Sequence, residues 1–191
     1  MLIAFHKPYG VLSQFNRNPD EPEQRTLAEF DLPEEVFPIG RLDMDSEGLL
    51  LLTDENEIVH RLLHPKFRHR RRYLLQVEGA PEEADLEKLR RGGVEIKGYK
   101  TLPCRAKVHK GEPDFPPRDP PIRERADIPA TWLTMELREG KNRQVRRMTA
   151  AIGYPTLRLV RVGVGRFPLG DLKQGHWKEL GSDEREFLFQ C

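Results

Sequence analysis

Gly40-Arg41-Leu42-Asp43-Met44-Asp45-Ser46-Glu47-Gly48-Leu49-Leu50-Leu51-Leu52-Thr53 is the stretch from which the rest of the chain can be read. A glycine opens it, a polar bend runs through Gly48, and four leucines follow. A short apolar run bounded by turn signals predicts a buried strand. Just upstream, Pro38 requires an extended neighbour, so residues 36–39 also read as extended. Asp43 therefore lies on a bend between two extended segments, beside Arg41 and close to Asp45 and Glu47.

Working outward, residues 2–6 read as a strand and Lys7-Pro8-Tyr9-Gly10 as a turn. Polar residues 16–25 form a loop, and Thr26 to Phe30 predicts a single helical turn. Downstream, Thr53 or Asp54 can cap a helix over roughly 56–63 that Pro65 stops. Tyr73 to Val77 is the next strand. Pro81 to Arg91 obeys each helix rule: proline at the start, Glu82 and Glu83 early, Arg90 and Arg91 late, Gly92 after. Short strands follow to about residue 109. Residues 111–130 hold six prolines and read as a long loop. Trp132 to Leu137 alternates as a strand, 143–152 is a helix stopped by Gly153, 157–167 is extended, and a short helix lies near 183–189. There is no internal repeat. The pattern is α+β, with a mixed, mostly antiparallel sheet and flanking helices in one domain over residues 1–191.

The chain has 191 residues, of which 37% are apolar and a third charged, a balance suited to a water-exposed globular fold. No apolar run is long enough to span a bilayer. Residues 1–5 run into His6-Lys7-Pro8, too short for the apolar part of a secretion signal. Cys104 and Cys191 match no metal or redox spacing. Such a chain is expected to be reduced and cytoplasmic. Net charge is only +1, but it is unevenly placed. Residues 58–77 carry six Lys/Arg and no Asp/Glu, and residues 141–166 carry seven and none. Two basic segments on an acidic remainder point to a positive surface for a polyanion, although an ordinary solvated face has the same composition.

The 143–152 helix breaks the dipole rule. Asn142 can cap it, and Val145, Met148 and Ile152 form its apolar stripe. Arg143, Arg146 and Arg147 crowd its first turns on one face, where cations oppose the macrodipole. A phosphate or carboxylate at that end would resolve the conflict. Asp43 has three readings. It could open a calcium loop with Asp45, Glu47 and Asp54, but Leu49 to Leu52 supply no side-chain oxygens. It could belong to a glycosidase-like pair of acids. It could be a single carboxylate held ionised by an arginine from elsewhere in the chain. Spacing does not choose among them. His60, His64 and His69 lack a further well-placed ligand, so no metal is expected there. Trp132 and Trp177 are expected to pack.

Three motifs decide the matter by resemblance. Gly40 to Thr53 resembles the active-site motif of the RsuA-type pseudouridine synthases. Lys7-Pro8-Tyr9-Gly10-Val11-Leu12 resembles their first motif, and Glu139-Gly140-Lys141-Asn142-Arg143-Gln144-Val145-Arg146-Arg147-Met148 their third. Pro120 to Arg125 and Tyr154 to Arg161 are similar to the RluE branch, which modifies large-subunit (23S) ribosomal RNA. The likeness covers nearly the whole chain, in order.

The resemblance implies a pseudouridine synthase catalytic domain over 1–191, without the small S4 RNA-binding domain that many relatives carry. It implies that Asp43 is the catalytic aspartate, Arg146 its ion-pair partner, and Tyr73 the ring against a flipped uracil. Arg41, Arg71, Arg143 and Arg147 are then the expected RNA contacts. Where the family often has lysine two positions before the tyrosine, this chain has Arg71, whose planar fork is not equivalent. The implied reaction moves no electrons and imports no group, so no cofactor and no metal are expected. The expected partner is ribosomal RNA of the large subunit, handled by a monomer away from membranes. The alternative is a non-catalytic rRNA-binding or ribosome-assembly factor on the same fold. A carboxylate amid phosphates has no use in such a factor.

Overall fold

The computed structural model describes residues 1–122, 125 and 127–190. Arg123 and Glu124 of the 120–125 motif, and Cys191, lie outside them. The chain forms two compact units, residues 1–70 with 160–191, and residues 71–159.

The first unit opens with β1 (Leu2–Lys7), β2 (Val11–Leu12), β3 (Arg25–Thr26), β4 (Phe37–Pro38), β5 (Glu47–Thr53) and α1 (Asn56–Leu63). β5 pairs antiparallel with β1 from Leu2↔Thr53 to Lys7↔Gly48 and with β4 at Phe37↔Thr53. Every residue of β1 and β5 is buried. Burial on both faces is why Leu49 to Leu52 are continuous rather than alternating. One face closes over a core of Ile3, Phe5, Val11, Leu27, Val36, Leu42, Leu50 and Leu52. The single helical turn expected at Thr26 to Phe30 is the 3-10 turn Leu27–Glu29, and Thr26 caps it. The cap of α1 differs: Glu55 occupies the N-cap and makes no side-chain bond to the helix. Thr53 Oγ1 instead accepts from the Glu55 N–H at 3.1 Å, and Asp54 pairs with the chain's amino terminus.

The second unit holds β6 (Arg71–Glu78), α2 (Glu83–Arg91), β7 (Glu95–Ile96), β8 (Tyr99–Lys100), β9 (Arg105–Val108), β10 (Ala130–Leu137) and α3 (Gln144–Ala151). β10 pairs antiparallel with both β6 and β9, with Tyr73 opposite Met135 and Gln76 opposite Trp132. Strand alternation sends Leu75, Val77, Leu133 and Met135 to one face. There they form a core with Leu86 and Leu89 of α2 and Val145 and Met148 of α3. Gln76 and Trp132 belong to the other face.

β11 (Thr156–Val164) ends in the first unit, where it pairs parallel with β5 at Val160↔Glu47 and Arg161↔Gly48. β12 (Phe167–Pro168), β13 (Trp177–Glu179) and α4 (Ser182–Phe189) follow. β13 pairs with β1 and was not legible as a strand, because all three of its residues are exposed. Trp177 does not pack inside: it is 37% exposed, and its indole N–H donates to Asp31 O. The α+β architecture, with mixed but mostly antiparallel pairing, is as expected.

Candidate active site

In the first unit, Asp43 sits on the turn that leads into β5, and that turn is clamped from beneath by residues 7–13. Ser46 N–H donates to Asp43 O (3.0 Å), and Gly10 N–H donates to Met44 O (2.8 Å). Ser13 Oγ donates to Leu42 O (2.8 Å) and accepts from Leu42 N–H (3.1 Å). The Lys7 side chain is fully buried, and its Nζ donates to Val11 O (2.7 Å), Pro8 O (2.9 Å) and Met44 O (3.4 Å). Burial pushes the Lys7 pKa down from 10.5 to about 7, against the opposing pull of the carboxylates of Glu47, Asp45 and Asp43.

Gly48 ends the turn with φ of +101°. A Cβ there would lie 2.4 Å from Arg161 O, so only glycine lets β11 approach. Arg161 Nε donates to Leu49 O at 2.7 Å, and buried Glu47 accepts from Gln174 Nε2 at 3.3 Å. These contacts fix the frame around Asp43, which is itself half-buried and reachable from solvent, as is Asp45. Arg41 is exposed. A calcium loop is ruled out by shape: β5 is extended and carries Asp54 to the strand's far end. Among the described residues, no group of three acids, histidines or cysteines could hold a metal. The His60 and His64 rings are tilted by 51° with centroids 5.0 Å apart, and His69 Nε2 lies 3.0 Å from Arg61 O.

In the second unit, Tyr73 is half-buried on β6 and packs against the cluster that holds Val145 and Met148. The ring of Tyr73 and helix α3 thus share one face of the β6–β10 ribbon. The turn into α3 is built around Glu139. Its Oε1 accepts from Leu102 N–H (2.9 Å) and Gln144 Nε2 (2.5 Å), and its Oε2 from the Tyr99 hydroxyl. Gln144 Oε1 accepts from Lys141 N–H at 2.8 Å.

Asn142 does not cap the helix. Arg143 holds the N-cap in a left-handed conformation, with φ of 51°, and makes no side-chain bond to the helix. Asn142 Oδ1 instead accepts from Arg147 Nη2 at 2.7 Å. The arginines part ways rather than forming one face: Arg146 Nη1 donates to Thr156 O (3.1 Å), Arg147 turns to Asn142, and Arg143 is exposed. No acid of α3 itself occupies its first turn. The Arg71 guanidinium comes to 3.6 Å from where a Cβ on Gly140 would sit, so it lies against the third motif. Lys7, Ser13, Glu139 and Gln144 are the framing residues that spacing could not assign. Lys7, Glu139 and Gln144 fall within the first and third motifs, whereas Ser13 lies just past the first and carries no signal of its own.

In the first unit the site thus offers a reachable carboxylate on a turn held by Lys7, Gly10 and Ser13. The family model described as RNA pseudouridylate synthase matches residues 1–151, and the chain belongs to that family. A ribosomal large subunit pseudouridine synthase E of Xanthomonas campestris is 49% identical over 178 residues, which is 93% of this chain and 94% of the relative. The protein of the same name in Vibrio parahaemolyticus is 50% identical over 179 residues, covering 94% of this chain and 73% of its own. A crystal structure of a pseudouridylate synthase superposes with a TM-score of 0.77 at 27% identity, over 98% of this chain and 73% of that one.

Proposed function

We propose that the protein isomerises a specific uridine of large-subunit (23S) ribosomal RNA to pseudouridine, with Asp43 as the catalytic carboxylate. The observation that carries this reading is the Asp43 turn: a reachable carboxylate on a backbone fixed by Lys7, Gly10 and Ser13. The reaction breaks the N1–C1′ bond, turns the uracil, and rejoins it through C5. The C5 proton is lost and N1 gains one, so atoms balance without any imported group. The target base must first leave its stack, and positioning then supplies much of the catalysis. Asp43 acts on the sugar, as nucleophile or base, and both roles need the ionised form. Arg146 supplies the charge that secures it, and the Tyr73 ring stacks on the extruded uracil. Arg41, Arg71, Arg143 and Arg147 hold phosphates, which fixes the strand's register without reading its sequence.

In this reading both units act as one catalytic domain, and the protein works as a cytoplasmic monomer. Among the described residues, no helix is long and apolar enough to cross a membrane. The test is tritium release from large-subunit transcripts carrying 5-tritiated uridine. One tritium per molecule should appear in water; none released, with RNA bound, would refute the isomerase.

A further inference from the structure

We propose that the first unit holds a backbone phosphate of the RNA on Arg61, at the end of α1, and that the C-terminal helix α4 keeps this arginine in place. The proposal rests on the RNA-modifying reading above. The Arg61 guanidinium lies over the Phe189 ring of α4, with Cζ 3.8 Å from the ring centre. The ring attracts the cation without a carboxylate, so the guanidinium donors keep their capacity for an anion. It also restrains a long side chain, which lowers the entropy lost on binding. Below, buried His69 sets Nε2 3.0 Å from Arg61 O and turns its ring edge-on to Phe189, with centroids 5.9 Å apart.

The charge around this pair is one-sided. Arg61, Lys66 and Arg68 are exposed and make no ion pair among the described residues. Other surface cations of the same unit are taken up by acids: Arg17 and Arg25 by Glu29, Lys178 by Glu184, and Arg185 by Glu55. Arg68 adds a second observation. It ends the 3-10 turn Pro65–Phe67 in a left-handed conformation, with φ of 49° and ψ of 38°, where glycine would sit without strain. A cation held in a strained backbone points to a use for its charge.

A guanidinium fork flanked by two unpaired cations matches phosphate oxygens, and it offers no acceptor for the donors of a base edge. Its place fits a strand bound at Asp43. Leu63, two residues beyond Arg61, lies 3.0 Å from where a Cβ on Gly40 would sit. The end of α1 thus adjoins the segment that leads to Asp43, and a phosphate held there fixes the strand without reading it.

The test uses the full chain and a large-subunit hairpin transcript, with binding read by fluorescence anisotropy across salt and turnover by tritium release. Arg61→Gln should weaken binding about tenfold, raise KM rather than lower kcat, and flatten the plot of log K against log salt by roughly 0.7. Phe189→Leu, which keeps an apolar side chain, should weaken binding about threefold. The double variant should bind no worse than Arg61→Gln alone, because the ring acts through the arginine. Arg61→Lys serves should Phe189→Leu melt early: it should keep the salt slope and lose affinity with the fork. Unchanged affinity and slope in folded Arg61→Gln would overturn the site while tritium release upheld the isomerase reading. Additive losses in the double variant would overturn the role of α4. An Arg61-dependent affinity for phosphatidylserine vesicles, with none for RNA, would reassign the patch to a membrane surface. Arg61-dependent RNA binding without tritium release from wild type would support the site and sink the isomerase reading.

Discussion

Asp43→Asn preserves shape but removes the ability to attack or to take a proton. Its tritium release should fall at least a thousandfold, while RNA affinity holds or rises slightly with one negative charge gone. Residual turnover within tenfold of wild type would reassign the chemistry. Lys7 acts at one remove from it. Lys7→Met leaves Val11 O, Pro8 O and Met44 O without their donor, at roughly 1–3 kcal/mol for each acceptor that stays buried. Its pH signature has a definite sign. With the folded pKa lowered to about 7 against 10.5, the unfolded chain binds more protons between those values. Neutral Lys7 therefore adds stability that is fully present above the unfolded value and lost as pH falls through about 7. Urea unfolding from pH 7 to 9.5 should show this rise in wild type and not in Lys7→Met. Both residues were marked by their motifs, Asp43 as the catalytic aspartate and Lys7 only as a support of the pocket. Nothing near Lys7 in sequence says that three carbonyls converge on it, one of them 37 residues away.

At the scale of elements, the β5 entry and the start of α3 matter most. Gly48→Ala sets a Cβ against Arg161 O and forces a positive φ on alanine. A loss of roughly 3 kcal/mol or more is expected in chemical denaturation, from backbone strain and overpacking together. On α3, Arg146→Ala should cost more turnover than Arg143→Ala, because Arg146 is half-buried and bonded to Thr156 O whereas Arg143 is exposed. Equal losses in kcat would remove Arg146 from its proposed role. The elements themselves were largely readable. The leucine run gave β5, and the charge order of Glu83 to Arg91 gave α2. Caps were less readable, since Asn142 and Asp54 have the right chemistry but are engaged by Arg147 and the amino terminus. β13 lacked an alternating apolar pattern, since its three residues, Trp177–Glu179, are all exposed along β1.

For the molecule as a whole, charge placement matters more than the net charge of +1. The basic segments at 58–77 and 141–166 should supply the salt-dependent part of RNA binding. Replacing exposed Arg68 or Arg143 by serine should weaken cognate and unrelated RNAs alike. The plot of log K against log salt should flatten by roughly 0.7–0.9 for each phosphate that is no longer neutralised. A weakening confined to the cognate RNA would mean that these side chains read bases. The central claim, that Asp43 isomerises one uridine of large-subunit RNA, is tested most directly by mapping. Unmodified transcript is incubated with wild type or Asp43→Asn, treated with carbodiimide, and read by primer extension. Wild type should give one new stop and Asp43→Asn none. The same stop from both proteins, or no stop from wild type, would contradict the claim.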